Sequence, residues 1–211
     1  MPRKILLSIF LIVCCIPLSA RMPDNWFFRR FRIGAEWGYS QCAYRIWDYN
    51  YFSEEGYRVY DSQRGFHFYP NGSILAQIGC HIGDRFDAAL CAGYAGAGED
   101  NRLFPLLLRL YWFPQARRSE ASDGIFSFVQ GGPAWHVRGA GRPVAWTETL
   151  GAGYRMALTG DCNLDLHFGL KFVQDHPLIP NPEAPGNVPE RNILKNNAGY
   201  CALDLTIAVN F

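Results

Sequence analysis

The chain reads as all-β, with eight antiparallel strands in up-and-down order closing into a transmembrane β-barrel after a cleaved signal peptide. Three observations predict this. First, the last sixteen residues set Cys201, Leu203, Leu205, Ile207, Val209 and a terminal Phe211 against Tyr200, Ala202, Asp204, Thr206, Ala208 and Asn210. That period of two gives a strand one greasy face and one mostly polar or small face. Second, Met1 to Ala20 has a basic start (Arg3, Lys4), an apolar run from Ile5 to Ile16 and small residues before a cut after Ala20, the pattern of a secretory signal peptide. Third, nothing after Ala20 approaches the ~20 apolar residues of a membrane-crossing helix, so an exported, embedded chain has to cross as strands.

Residues 21–30 are a short lead and 31–211 form the barrel domain. The first strand, Phe31–Gln41, faces lipid with Phe31, Ile33, Ala35, Trp37 and Tyr39 and the lumen with Arg32, Gly34, Glu36, Gly38 and Ser40. Ser73–Ile82 carries Ile74, Ala76, Ile78 and Cys80 outward, with Gln77 and His81 inward. A Gly83-Asp84 turn leads into Arg85–Tyr94, with Phe86, Leu90 and Tyr94 outward and Arg85 and Asp87 inward. Arg102–Phe113 is nearly all apolar, with Arg109 opposite Phe104, Leu106, Leu108, Leu110 and Trp112; Pro105 and Pro114 argue against a helix. Ile125–Val137 contains Gly131-Gly132-Pro133, which leaves its facing open. Val144–Leu158 has Thr147, Thr149, Gly151, Gly153 and Arg155 inward but Glu148 on the lipid side, a misfit unless it lies near the membrane edge or at a bulge. Cys162–Phe172 follows, with Leu164, Leu166, Phe168 and Leu170 outward and Asn163, Asp165, His167 and Lys171 inward.

Segments of about ten residues match the ~9–11 of a tilted bilayer-crossing strand. Long connections at 43–72 and 173–197 alternate with minimal turns at Gly83-Asp84 and Thr159–Asp161, the asymmetry of long outer loops and short periplasmic turns. An eight-stranded barrel is narrow enough for side chains to fill it. The inward charges Glu36, Arg85, Asp87, Arg109, Arg155, Asp165, Lys171 and Asp204 are therefore expected to form a packed plug of ion pairs, because an unpaired buried charge is costly. Trp26, Trp37, Trp47, Trp112, Trp135 and Trp146, with Tyr39, Tyr94, Tyr111 and Tyr154, suit interfacial girdles. The first long loop offers Tyr49, Tyr51, Tyr57 and Tyr60 for recognition, since tyrosine joins apolar area to a polar tip. The proline-rich second loop is held extended.

A formal net charge of +1 gives no reason to expect nucleic acid as a partner. Five cysteines after the cut (Cys42, Cys80, Cys91, Cys162, Cys201) have neither metal-site spacing nor an even count, so no disulfide framework is indicated. Val13 before Cys14 disagrees with a lipoprotein signal. The five histidines match no ligand motif, and no cofactor is expected.

On its alternating strands, the Gly199-to-Phe211 ending and the stretches Phe128–Gly132 and Leu150–Arg155, the chain resembles small single-domain outer-membrane β-barrels of the broad OmpA-like or porin-like family, of Bacteroidetes type. The resemblance implies a Gram-negative outer membrane, lipid contact all round, and Gly199, Val209 and Phe211 as the signal read by the barrel assembly machinery. It implies a non-enzymatic envelope or surface-recognition role acting through the long loops, with a narrow solute channel, a lipid-modifying enzyme and a secreted soluble ligand carrier as alternatives. Lipid A deacylases of this shape carry a His followed two residues later by Ser; here His167 is followed by Gly169, so the nucleophile is missing.

Overall fold

The computed structural model describes residues 31–99, 101–115, 123–138, 142–159 and 162–211. The signal-peptide and lead assignments, and Trp26, lie outside the described residues. Eight strands form one closed antiparallel barrel in sequence order: β1 (Phe31–Phe52), β2 (Arg58–His81), β3 (Phe86–Gly96), β4 (Arg102–Trp112), β5 (Gly124–His136), β6 (Ala145–Thr159), β7 (Cys162–Asp175) and β8 (Ile193–Asn210). Closure is made by β1 against β8 and finished by Phe211, whose backbone exchanges two hydrogen bonds with Ile33 at 2.8 and 3.0 Å.

The register carries the stagger that a barrel requires. Partners of Ile33 run Ile78, Leu90, Leu108, Gly131, Glu148, Phe172 and Cys201, and the path returns to β1 at Tyr44 rather than at Ile33. Such a climb is inseparable from strand tilt, about 35–45° in closed barrels. Part of it is taken up at a register shift between Cys42 and Tyr44, where Ala43 is an extra residue against β8; beyond it Ile46 turns out and Trp47 and Tyr51 turn in, the reverse of the parity before it.

Burial alternates residue by residue along the strands. The outward set includes Trp37, Ile74, Ile78, Leu90, Leu108, Leu150, Phe168 and Leu205, all exposed. β5 keeps the same alternation through Gly131-Gly132-Pro133, with Phe126, Phe128 and Gln130 inside. Gly132 lies so close to β4 that a Cβ there would sit 2.1 Å from the Leu106 carbonyl oxygen.

Two expectations about connections are corrected. Residues 43–72 are mostly strand: β1 and β2 run on as a paired ribbon to a tip at residues 53–57, because main-chain pairing continues where the apolar alternation fades. The second long connection is likewise shorter, 176–192, since β7 reaches Asp175 and β8 begins at Ile193. Within it Pro180 bridges Asn187, and Ile179 and Val188 turn inward.

Candidate functional site

The inward faces build three layers. At the end holding the short turns, Arg155 grips Asp165 with two hydrogen bonds, Nε to Oδ1 at 2.7 Å and Nη2 to Oδ2 at 2.6 Å. Arg32 lies 2.9 Å from Asp87, whose carboxylate also takes His81 Nδ1 at 2.7 Å and Arg155 at 3.4 Å. Asn210 donates to Asp165 at 3.0 Å. Two guanidiniums facing two carboxylates give this layer balanced charge, and planar bidentate pairing is the strongest arrangement open to Arg.

Above it, Arg109 donates to Glu36 from both terminal nitrogens, at 2.6 and 2.9 Å, and from Nε to Gln130 at 2.7 Å. Tyr111 and Gln77 complete its shell. Tyr111, Phe126, Phe128 and His167 pack ring against ring beside it, with centroids 5.1–6.5 Å apart. Glycines on β6 make room for these rings: a Cβ at Gly153 would sit 2.4 Å from Phe126, and one at Gly151 2.7 Å from Phe128. Arg155 stacks over Phe113 at 5.0 Å and Arg32 over Tyr111 at 5.1 Å, so the aromatic slab also screens the cations.

A cavity of about 20 Å³ follows, bordered by Lys171, Asp204, Thr147 and Thr206, roughly the room one water needs. Ser40 and Thr206 donate to Asp204. Lys171, buried to 7 % exposure, makes no ion pair among the described residues. The loop end is closed by an apolar cap in which Ile179 and Val188 meet Trp47, Tyr51, Leu103 and Tyr200. Arg142 Nε donates at 3.2 Å to the His176 carbonyl, and Asn196 at 2.5 Å to that of Pro177, which ties the connection down. Beneath the cap, Asp175 lies 3.0 Å from His136 and accepts from Asn101.

Of the expected plug, Glu36 with Arg109 and Asp87 with Arg155 and Asp165 come together. Lys171 and Asp204 face inward without joining an ion pair among the described residues. Arg85 is excluded: the turn spans residues 82–85, with Ile82 and Gly83 both donating to the Phe86 carbonyl, and this leaves Arg85 outside and exposed. Its place is taken by Arg32, which the alternation already turned inward. Gln77 and Asn210 were legible by the same parity, whereas Tyr111 was read as a girdle residue, Gln130 lay in the strand whose facing was open, and Asp175 fell in a stretch read as loop.

The girdle reading is corrected at two positions, Trp47 and Tyr111, both buried inside. Trp112 and Tyr154 on the outer face near the turns, and Trp135 and Trp146 near the loops, are exposed. Glu148 stays on the outer face, near the loop end of β6, where Trp146 Nε1 donates to it at 2.7 Å.

The four candidate tyrosines separate. Tyr51 is buried in the cap and is not available for recognition, because beyond the Ala43 bulge its parity points inward. Tyr49 donates to Asp61 at 2.8 Å; burial, then this bond, push its phenol up to about 12. Hydrogen bonds from Gln63 and Tyr49 hold the Asp61 carboxyl below its ordinary value. Tyr60 is exposed, and Tyr57 at the tip donates to Glu183 of the capping connection at 2.5 Å, a bond that raises its phenol. Gly199 and Val209 lie within β8, and Phe211 closes the seam to Ile33.

No group of three or more His, Cys, Asp or Glu among the described residues could hold a metal. His167 sits in the aromatic slab, and among the described residues neither ring nitrogen has a hydrogen-bond partner that would orient it as a base.

No known protein family and no curated protein matches the chain. Among solved structures it is similar to Neisserial surface protein A, at 12 % identity over 84 % of this chain and 96 % of that one, with a TM-score of 0.41. At that distance the likeness carries no argument about what the chain does.

Proposed function

We propose that the chain is a non-enzymatic, non-conducting barrel of a Gram-negative outer membrane, which holds the β1–β2 ribbon and the capping connection outside the cell as a recognition surface. The observation that carries this reading is inverted polarity: the belt facing out is Ile, Leu, Val, Phe and Trp, while Arg32, Glu36, Asp87, Arg109, Arg155 and Asp165 are inside. A soluble protein rarely exposes a contiguous apolar patch beyond a few hundred Å², and lipid is the solvent that suits a band of this kind. A soluble ligand carrier needs a pocket of about 300–1,000 Å³ inside its barrel; the cavity beside Lys171 and Asp204 holds about 20 Å³, and the groove of about 530 Å³ lies on the outer face among Ile82, Phe86, Leu110, Trp112, Val129 and Leu150. Two layers of paired charge, an aromatic slab and an apolar cap stand in series where a channel would run.

In this reading Gly199, Val209 and Phe211 serve the assembly machinery, and Tyr57 and Tyr60 belong to the displayed surface. The test is gel mobility of the detergent-extracted protein from a separated outer-membrane fraction, with and without boiling, alongside flux of small solutes into liposomes. A faster unboiled band without added flux supports the proposal. Solubility without detergent overturns the membrane reading, and solute flux above empty liposomes overturns the sealed lumen.

A further inference from the structure

Of β2's 24 residues only the nine from Ser73 to His81 pair with β3. Pro70 has no N–H, and Asn71 sits against Gly96. Between them and the tip, Arg58–Tyr69 pairs with β1 on one side and, among the described residues, with no strand on the other. A free edge presents a row of main-chain donors and acceptors, which proteins ordinarily blunt with Pro, Lys or a bulge. Arg58–Tyr69 contains no Pro and no Lys; toward β1 its ladder is irregular only at His67 and Phe68, which together oppose Ala43. The one inward carboxylate, Asp61, is satisfied by Tyr49 and Gln63.

The side chains flanking this edge stand far out, although Phe66 packs edge-on against Tyr44 and stacks on Phe68. Phe66, Phe68 and Tyr60 are 79 %, 73 % and 65 % exposed, above every large apolar residue of the outer belt. On the same face stand Arg58 and Arg64, and no carboxylate on β2 accompanies them. Arg64 makes no ion pair among the described residues, while Arg58 donates to Asn50 at 3.0 Å.

We propose that the edge of β2 from Arg58 to Tyr69 is a β-augmentation site, which takes an extended segment of another protein with apolar and acidic side chains alternating on its outer face. Main-chain pairing supplies the affinity in this mode, and alternate side chains supply the selectivity. Acidic residues face Arg58 and Arg64, and apolar ones face Tyr60, Phe66 and Phe68. A second copy in the same membrane does not fit. Copies related by a two-fold axis along the membrane normal have β2 running in the same sense and tilted in opposite directions, so their edges cross instead of pairing.

This inference rests on the membrane reading above and is tested separately from it. The protein, in detergent and shown to keep its heat-dependent mobility, is titrated with a fluorescent synthetic peptide matched in length to Arg58–Tyr69. The peptide carries valine opposite Tyr60, Phe66 and Phe68, glutamate opposite Arg58 and Arg64, and threonine between. Two controls replace glutamate with lysine or N-methylate alternate peptide bonds. The expected result is saturable binding, weaker by about tenfold or more for the lysine peptide because like charges face each other, and lost on N-methylation. Amide exchange in Arg58–Tyr69 slows on binding. Equal binding of the N-methylated peptide, or no change in exchange at those amides, overturns the inference. So does slowed exchange there with lipopolysaccharide alone, which makes the edge a lipid contact, or clustering of protein-bearing vesicles without peptide, which makes the occupant a copy in an apposed membrane. If the preparation is soluble and heat-indifferent, the membrane reading fails instead.

Discussion

Replacing Arg109 with Ala tests whether the interior is a structural plug. The guanidinium holds Glu36 with hydrogen bonds of 2.6 and 2.9 Å, Gln130 at 2.7 Å and the Tyr111 hydroxyl at 3.0 Å, and both Arg109 and Glu36 are almost fully buried. Truncation leaves a carboxylate inside the barrel without its counter-charge. Breaking a buried pair from one side costs about 3–5 kcal/mol, whereas replacing both partners by apolar groups of similar volume is often neutral or stabilising. R109A should therefore lose about 3–5 kcal/mol of unfolding free energy, and the double variant R109M/E36L should recover most of it. The assay is urea unfolding in detergent micelles, followed by tryptophan fluorescence and by the folded gel band, with solute flux into liposomes measured on the same preparations. Flux should stay at background, since the Arg155 layer and the apolar cap are untouched. A loss below about 1 kcal/mol, the size of an exposed pair, would refute the reasoning, as would a double variant no more stable than R109A.

Other outcomes follow from the same geometry. K171M should be neutral or stabilising by about 1 kcal/mol in that unfolding assay, because it removes a buried cation that has no ion pair among the described residues. G153V should cost about 1–3 kcal/mol or block folding, since its side chain has to enter the space of the Phe126 ring and the Leu166 carbonyl. The Tyr49–Asp61 contact gives the ribbon a pH window. Tyr49's folded-state value is raised to about 12, so its contribution is complete below the unfolded phenol's pKa of about 10 and is lost as pH rises through the folded value. Asp61's is depressed, so its contribution is present above about pH 4 and is lost as pH falls through the folded value. Amide protection of the ribbon, corrected for intrinsic exchange, should be level between those limits and fall outside them, and Y49F should remove the alkaline limb.

The barrel was legible because burial of one face imposes period two, and β1 to β8 each carry it along the stretch that walls the lumen. Facing needed no knowledge of partners: Glu36, Asp87, Arg109, Arg155 and Asp165 were placed by parity alone. Their pairing was not legible, since Glu36 on β1 and Arg109 on β4 meet across the interior and only the ring's stagger brings them level. The ribbon was missed for a related reason. Between Arg45 and Gly65 polar residues occupy both faces, so alternation fades while main-chain pairing to β1 continues. Arg85 was misplaced because a four-residue turn consumed it, and Tyr51 because the stretch read as loop is strand, on which its side chain turns into the cap.

In the proposed reading lipid lies outside this barrel and protein fills it. Quenching by lipids brominated at mid-chain tests it directly, using refolded single-tryptophan variants that keep either Trp37, 64 % exposed on the outer face, or Trp47, 8 % exposed within the cap. Trp37 should be quenched strongly and Trp47 little. Equal quenching of both, or none of Trp37 in protein that remains folded, would contradict it.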